Sequence, residues 1–257
     1  MSRQAHAEVP GQVAHLAELL REAESAVVLT GAGISVPSGI PDFRSPGTGL
    51  WENVNPMEVA HIDVFRRSPD KFWRFYGDRF CSLQDKVPNG AHAALSELES
   101  AGMLRGVITQ NVDRLHRRAG SRNVIEVHGS IARSVCMECG GYVALDDVLE
   151  QLESGVGTPE CRACVYPLKP DVVLFGEMLP EQAMADAYAL AAEADLMVCV
   201  GSSLEVFPVA SLPEVTLDAG GTLAIVTQGS TPYDDRADVK LEGDVVAELQ
   251  SVVAALG

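Results

Sequence analysis

The sequence predicts an α/β protein: one parallel sheet, with two excursions from it that together form a smaller lobe. Three observations carry this reading. Short apolar runs alternate with helical patterns along most of the 257 residues, the pattern of strands joined by helices. An aromatic-rich segment at 45–89, with Phe65, Phe72, Trp73, Phe75, Tyr76 and Phe80, breaks that rhythm. A second segment, 131–169, breaks it again and holds two CxxC pairs.

Taken in order, strands are expected at 26–30, 106–109, 125–127, 171–175, 195–200, 222–226 and 239–241. Helices are expected at 12–22, 91–101, 180–193 and 244–256. Segment 45–89 reads as a loop followed by helices, inserted into the alternation. In segment 131–169 the pairs are Cys136-Met-Glu-Cys139 and Cys161-Arg-Ala-Cys164, with 21 residues between them. Two residues between thiols let a tight turn aim both sulfurs at one point, and the longer excursion can return to close a tetrahedron. Two disulfides or four unrelated buried thiols are the alternatives, and paired knuckles favour one zinc on Cys136, Cys139, Cys161 and Cys164. Four thiolates leave no open position for water, so this zinc is structural and the chemistry lies elsewhere.

Composition narrows the function. At 47% hydrophobic the chain is ordinary for a globular protein. Its apolar runs are strand-sized, well short of the roughly 18 residues of a membrane span. The first twelve residues are polar and carry no basic-then-apolar leader. A cytoplasmic location is expected, and a reducing compartment suits zinc thiolates. Cys81 and Cys199 are left over, and Cys199 lies in an apolar run as a small core residue. Acidic groups outnumber basic ones by 36 to 19, for a net charge of −17. That opposes a nucleic-acid surface, which needs a basic patch. It suits solubility, and also substrates with basic flanks.

The residues that can carry chemistry follow the strands. The first strand runs into Thr30-Gly31-Ala32-Gly33-Ile34-Ser35, part of a dinucleotide fingerprint whose third glycine is replaced by Val36. Such glycines allow a tight turn and close approach of backbone to a pyrophosphate; a plain strand-to-helix turn would look the same. Ser38-Gly39-Ile40-Pro41-Asp42-Phe43-Arg44 follows, a shaped loop with an aromatic face and a cation for an anionic ligand. The second strand ends in Thr109-Gln110-Asn111-Val112-Asp113, polar groups suited to fixing ligand amides and hydroxyls, or to capping the next helix. Glu126-Val127-His128-Gly129 sets a histidine at a strand end, as a general base requires. Gly201-Ser202-Ser203 follows another apolar strand and suits phosphate or ribose, while Thr227-Gln228 and Gly243-Asp244-Val245 end the last two.

The ordered series GAGIS, GIPDFR, TQNVDRLH, EVHGS, the CxxC pairs, FGE and GSSL resembles the sirtuin family of NAD-dependent protein deacylases, from about Ala26 to Val253. The resemblance implies a Rossmann-type NAD-binding domain (1–45, 88–131 and 168–257). It implies a small domain made of a helical insertion (46–87) and a zinc-ribbon module (132–167). NAD and an acyl-lysine peptide would meet in the cleft between them. It also implies contact with NAD by Gly31, Ala32, Gly33, Ile34, Val36, Asp42, Phe43, Arg44, Gln110, Asn111, Val112, Asp113 and His128. Gly201, Ser202, Ser203, Thr227, Gln228, Asp244 and Val245 complete that set.

Catalysis is implied for His128, Asn111 and Asp113. Val173, Phe175, Gly176 and Glu177 on one side, with Leu204, Glu205 and Val206 on the other, would hold the peptide as an added strand. The acyl oxygen would attack the ribose carbon as nicotinamide leaves, and His128 would take a ribose hydroxyl proton. The acyl group would end on ADP-ribose. Neither nucleic acid nor membrane is an expected partner. Protein mono-ADP-ribosyl transfer, or a non-catalytic NAD or ADP-ribose sensor, are the alternatives.

Two departures stand out. Thr227 occupies a position where the family commonly has Asn, and a hydroxyl offers one donor where an amide offers two. Tyr76 and Arg79 are spaced as in the YxxR pair of sirtuins that prefer succinyl- or malonyl-lysine, and Ala60 falls where those carry a small residue. A phenol and a guanidinium can bind an acyl carboxylate; the alternative is that Tyr76 packs and Arg79 faces solvent.

Overall fold

The computed structural model describes residues 11–43, 47, 49 and 54–257. Among them the strands are β1 (Ala26–Thr30), β2 (Gly106–Thr109), β3 (Val124–Glu126), β4 (Gly129–Cys136), β5 (Tyr142–Ala144), β6 (Leu168–Val172), β7 (Leu196–Val200), β8 (Thr222–Val226) and β9 (Val239–Leu241). The helices are α1 (Gly11–Glu22), α2 (Pro56–Val59), α3 (Ile62–Arg67), α4 (Pro69–Gln84), α5 (Gly90–Ser100), α6 (Leu115–Ala119), α7 (Leu145–Glu153), α8 (Glu181–Ala192), α9 (Leu212–Asp218) and α10 (Val245–Leu256). None of these helices is long and apolar enough to cross a membrane.

Six strands form a sheet in the order β3-β2-β1-β7-β8-β9, parallel at every pairing. Its two faces can be read from alternate residues. Val28, Val107, Val198 and Ala224 face one core with residues of α1, α5 and α10. Val27, Leu29, Ile108, Met197 and Ile225 face the other, against α8 and α9. Both faces are covered, so these strands are apolar throughout, as parallel strands usually are.

The chain then leaves this sheet. After β3 it turns at Val127-His128 and enters β4, which pairs antiparallel with β5 and β6 in a second sheet ordered β5-β4-β6. This corrects the strand expected at 171–175. The strand lies at Leu168–Val172 and belongs to the small sheet. The apolar run Val172-Val173-Leu174-Phe175 imitates a buried parallel strand, but the pairing partner is β4. Helices α3 and α4 pack Phe65, Phe72, Trp73 and Phe80 against Ile131, Leu145, Leu149 and Leu168, and Trp73 Nε1 donates to the Leu168 carbonyl at 2.9 Å. The two excursions therefore share one core and make the smaller lobe.

The four knuckle sulfurs lie within 4.8 Å of one another. Cys136 and Cys164 approach to 3.3 Å and Cys139 and Cys161 to 3.9 Å. A tetrahedron with Zn–S bonds of about 2.3 Å needs sulfurs about 3.8 Å apart, so the cluster fits one structural zinc. The knuckles repeat one design. Cys136 N–H donates to the Gly141 carbonyl and its own carbonyl accepts from Gly140; Cys161 does the same with Tyr166 and Val165. Gly140 and Val165, at equivalent positions, both have positive φ, 70° and 55°. For a β-branched residue that conformation costs about 1–2 kcal/mol.

Beneath the carboxyl ends of β1 and β2 lies a buried polar layer. Thr30 Oγ1 donates to Thr109 Oγ1 at 2.8 Å and accepts from His116 Nε2 at 2.9 Å. The His116 and His92 rings lie 4.9 Å apart. His92 Nδ1 accepts from the Asn89 N–H at 3.4 Å, so its proton sits on Nε2, facing Ser35 Oγ at 3.5 Å. Burial pushes the pKa of His92 down to about 4. Burial, helped by His92, takes His116 down to about 3.

Two outcomes follow. Cys136→Ser or removal of zinc by a chelator should cost the small lobe its fold, since binding at a structural site is coupled to folding. A loss of about 3 kcal/mol lowers Tm by roughly 10 °C in a chain of this size, and metal analysis with thermal unfolding checks it. The second concerns pH. Both histidines are neutral when folded and bind protons near pH 6.5 when unfolded. The unfolded state therefore takes up more protons below about pH 6.5, and stability falls with pH by up to about 2.7 kcal/mol per unit for the pair. Asp113, raised by burial, acts the other way with one proton against two. Urea unfolding at pH 7 and pH 5 should show the loss, and His92→Gln should flatten it.

Candidate active site

The strand order reverses direction between β1 and β7: the chain adds β2 and β3 on one side and β8 and β9 on the other. Ligands of open parallel sheets bind at such a switch point, outside the carboxyl ends of the strands. The loops after β1 and β7 meet there. Gly31 N–H donates to the Val200 carbonyl and Gly33 N–H to the Gly201 carbonyl at 2.8 Å. A Cβ on Gly31 would come within 2.8 Å of the Gly201 carbonyl oxygen, and one on Gly201 within 2.3 Å of the Ile34 nitrogen. These glycines let two main chains touch. Their N–H groups are engaged within the protein. The Ile34 side chain is fully buried in the sheet core, because the turn folds it inward. Ala32 is half-buried and Val36 exposed on the same 3₁₀ turn, Ala32–Ser38.

Beside this floor, the end of β2 supplies the polar groups. Gln110 Nε2 donates to Ser202 Oγ at 3.0 Å, tying the β2 and β7 loops together. Asn111 Nδ2 donates to the Gly31 carbonyl at 3.0 Å and to Ser35 Oγ at 3.2 Å. Ser35 Oγ donates to Asp113 Oδ2 at 2.7 Å, and Asp113 Oδ1 accepts from the Leu115 N–H at 2.9 Å. Asp113 thus caps α6 and also joins the Asn111–Ser35 network. Burial raises its pKa, while the bonds from Leu115 and Ser35 oppose the rise. Ser35 and His92 were not singled out from sequence. The signal for both was weak: a serine two residues beyond GxG, and a histidine at the third position of a helix capped by Asn89. Val112, half-buried, gives its carbonyl to Ile131 N–H.

His128 sits on the hinge between the two sheets, three strands from the β7 loop. Its Nδ1 lies 3.0 Å from the Gln110 carbonyl oxygen. A carbonyl only accepts, so Nδ1 carries the proton and Nε2 keeps a free lone pair. Burial lowers its pKa and the Gln110 bond opposes the drop, so the ring stays neutral near pH 7. Gly129, next to it, is required by the fold. Its φ is 76°, and a Cβ there would lie 2.2 Å from the Asp171 carbonyl oxygen, so the glycine admits β6.

On the small-lobe side, Val173 N–H donates to the His128 carbonyl at 2.9 Å. Phe175 N–H donates to the Ala60 carbonyl and its carbonyl accepts from Ile62 N–H, both at 2.9 Å. The Phe175 main chain is therefore already paired with the helical insertion and does not itself offer a ladder to an added strand. Gly176 forms the tip of the turn that follows, with φ 85°. Glu177 carries its carboxylate inward, to Lys169 Nζ and the Leu174 N–H, both at 2.9 Å. Leu204 is buried in the core beneath β7 with φ 54°, while Glu205 is exposed and Val206 half-buried. The Glu177 and Leu204 side chains thus both turn inward.

At the far end of the edge, Ser203 and Thr227 are half-buried. Gln228 Nε2 donates to the Gly243 carbonyl at 3.4 Å. Asp244 Oδ1 accepts from the Val246 and Ala247 N–H groups, which makes it the N-cap of α10; half-buried Val245 follows. Asp42 is half-buried and Phe43 exposed at the mouth of the site, and Arg44 lies outside the described residues. In the insertion Ala60 is buried. Tyr76 stacks on Phe72 at 4.7 Å, and Arg79 lies over the Phe75 ring at 4.6 Å. Burial raises the Tyr76 pKa and lowers that of Arg79.

Residues 31–208 match the sequence pattern of the Sir2 family. An NAD-dependent protein deacetylase of Thermotoga maritima is 45% identical over 229 residues, covering 89% of this chain and 92% of the relative. NAD-dependent protein deacylase 2 of Pyrobaculum aerophilum is 44% identical over 229 residues, covering 89% and 90%. A solved complex of Sir2 with a p53 peptide and NAD+ superposes with a TM-score of 0.86 at 43% identity, over 93% of this chain and 96% of that one. Sir2Tm bound to a propionylated peptide gives 0.85 at 42%, over 95% and 98%. With its glycine-locked switch point, buried polar edge and four-cysteine cluster, this chain belongs to the Sir2 family.

Proposed function

We propose that the chain removes acyl groups from lysine side chains of proteins in an NAD-dependent reaction, releasing nicotinamide and O-acyl-ADP-ribose. The observation that carries this is His128, a neutral histidine with its proton held on Nδ1 by the Gln110 carbonyl and Nε2 left to accept another. When bound, NAD would supply a ribose carbon for the acyl oxygen to attack as nicotinamide departs, and a ribose hydroxyl on which the acyl group ends. The residues to hold it are those of the carboxyl edge: Gln110, Asn111 and Asp113 toward the nicotinamide half, Ser202 and Ser203 toward phosphate and ribose. Asn111 and Asp113 are held by Ser35 in one orientation, so they bind without rearranging. His128 Nε2 takes a hydroxyl proton at the β3 end. The acyl-lysine peptide lies along the main chain of Gly176 and of Leu204–Val206, read through backbone more than side chains.

An acidic acyl group is a second reading, favoured by one observation. Arg79 is partly buried over Phe75 and has no carboxylate partner among the described residues. A guanidinium placed that way suits an acyl carboxylate, with Tyr76 beside it and buried Ala60 leaving space.

His128→Ala should lower turnover of an acetyl-lysine peptide by roughly 10²–10⁴-fold while the zinc-loaded fold survives. A residual rate above about a tenth of wild type, with chemistry limiting, would contradict the assigned base. Because its pKa lies below the ordinary histidine value of about 6.5, kcat/KM should hold level down to below that pH before it falls. For the acyl pocket, Arg79→Met should depress desuccinylation about 10- to 100-fold, the worth of a charge-assisted bond. Deacetylation should stay level or improve. Parallel kinetics on succinyl- and acetyl-lysine peptides decide it: an equal fall in both returns Arg79 to packing.

A further inference from the structure

Lys169 lies on β6 with its side chain 8% exposed. A lysine so buried persists only where its ammonium is fully met. Here each of three protons has an acceptor: the Pro170 carbonyl at 3.1 Å, the Val172 carbonyl at 2.7 Å and Glu177 Oε2 at 2.9 Å. The side chain thus curls back along its own strand, takes the carbonyl at the strand's end and reaches across to the turn beyond. Glu177 closes that turn. Its Oε2 also accepts from the Leu174 N–H, and its N–H donates to the Leu174 carbonyl at 3.0 Å. Between the two anchors, Val173 N–H bonds the His128 carbonyl and Phe175 bonds Ala60 and Ile62. Segment 172–177 therefore has a named hydrogen bond at every residue except Gly176, and the Lys169 ammonium ties its two ends together.

We propose that Lys169, acting through Glu177, is a positioning residue for the peptide substrate: it fixes the segment that presents the Gly176 main chain to the peptide and, through Val173, steadies the backbone of His128. This rests on the functional reading above. A lysine that merely filled space in β6 would be served better by an apolar residue of equal length, which brings no desolvation cost. Acceptors at both ends of one segment, Val172 and Glu177, point instead to a clamp. A clamp acts on the geometry of binding, and its loss should appear chiefly in the peptide's KM.

The test is steady-state kinetics of the full-length, zinc-loaded protein on an acetyl-lysine peptide and NAD, comparing wild type, Lys169→Met, Lys169→Arg and Glu177→Gln. Lys169→Met should raise the peptide KM about tenfold or more, with NAD KM within about twofold and kcat within about threefold of wild type. Lys169→Arg, which keeps charge and donors, should recover most of that loss. Glu177→Gln keeps an acceptor for Leu174 but drops the charge, and should raise the peptide KM about three- to tenfold. An unmoved peptide KM in folded Lys169→Met overturns the proposal, as does an equal decline in NAD KM, peptide KM and kcat. If Lys169→Met does not fold, Glu177→Gln decides by the same criterion. Wild type that turns over no peptide sinks the functional reading and the clamp together. Turnover by wild type with unmoved KM in the variants sinks the clamp alone.

Discussion

The contact between two main chains at the switch point holds the site together. Gly31 and Gly33 after β1 lie against Gly201 after β7, close enough that a Cβ on either side would collide with backbone. Two strands that are neighbours in the sheet are thereby neighbours beyond it as well. The polar groups of the carboxyl edge are referenced to that floor. Asn111 bonds the Gly31 carbonyl, Gln110 bonds Ser202 just past Gly201, and His128 bonds Gln110. A chain of four hydrogen-bonded loops spans from β7 to β3. A fault in the glycine contact would be felt at the histidine, although no side chain of the two touches.

The layer beneath is polar where a core is normally apolar. Thr30, Thr109, His116, His92 and Ser35 are all buried, and each finds at least one partner, with only His116 Nδ1 left without one. Such networks fix orientation at the expense of stability. Here the orientation is that of Asn111 and Asp113, so the cost falls next to the groups that benefit. The histidines stay neutral because charging them in this layer would require an acceptor that the layer lacks.

Much of this was legible in the residues. The strands at 26–30, 106–109, 222–226 and 239–241 coincide with their apolar runs, since burial on both faces leaves a continuous apolar signature. The cysteine knuckles were legible because two thiols two residues apart have few other uses. The sheet edge was legible as polar and glycine clusters after each strand. What sequence did not reveal depended on partners distant in the chain. β6 reads as a parallel strand until β4 claims it. Ile34 and Leu204 stand inside ligand-like motifs, yet the turns aim both into the core. Asp244 and Glu177 are acidic residues at suggestive places whose carboxylates are taken by a helix start and by a buried lysine. In each case the residue type is legible, and the direction of its side chain, which spacing does not encode, is not.

The pairing of Phe175 with Ala60 and Ile62 has a wider meaning. It makes a single ladder of the helical insertion and the segment beside the histidine. On the proposed reading, the acyl site of Tyr76 and Arg79 hangs from one rail of that ladder, and the main chain beside the peptide is the other. Selectivity for the acyl group and affinity for the surrounding sequence are then not separate inheritances. A change that shifts the insertion by a fraction of an ångström to admit a longer acyl chain also moves the rail along which the peptide lies, and drift in one trait would be constrained by selection on the other.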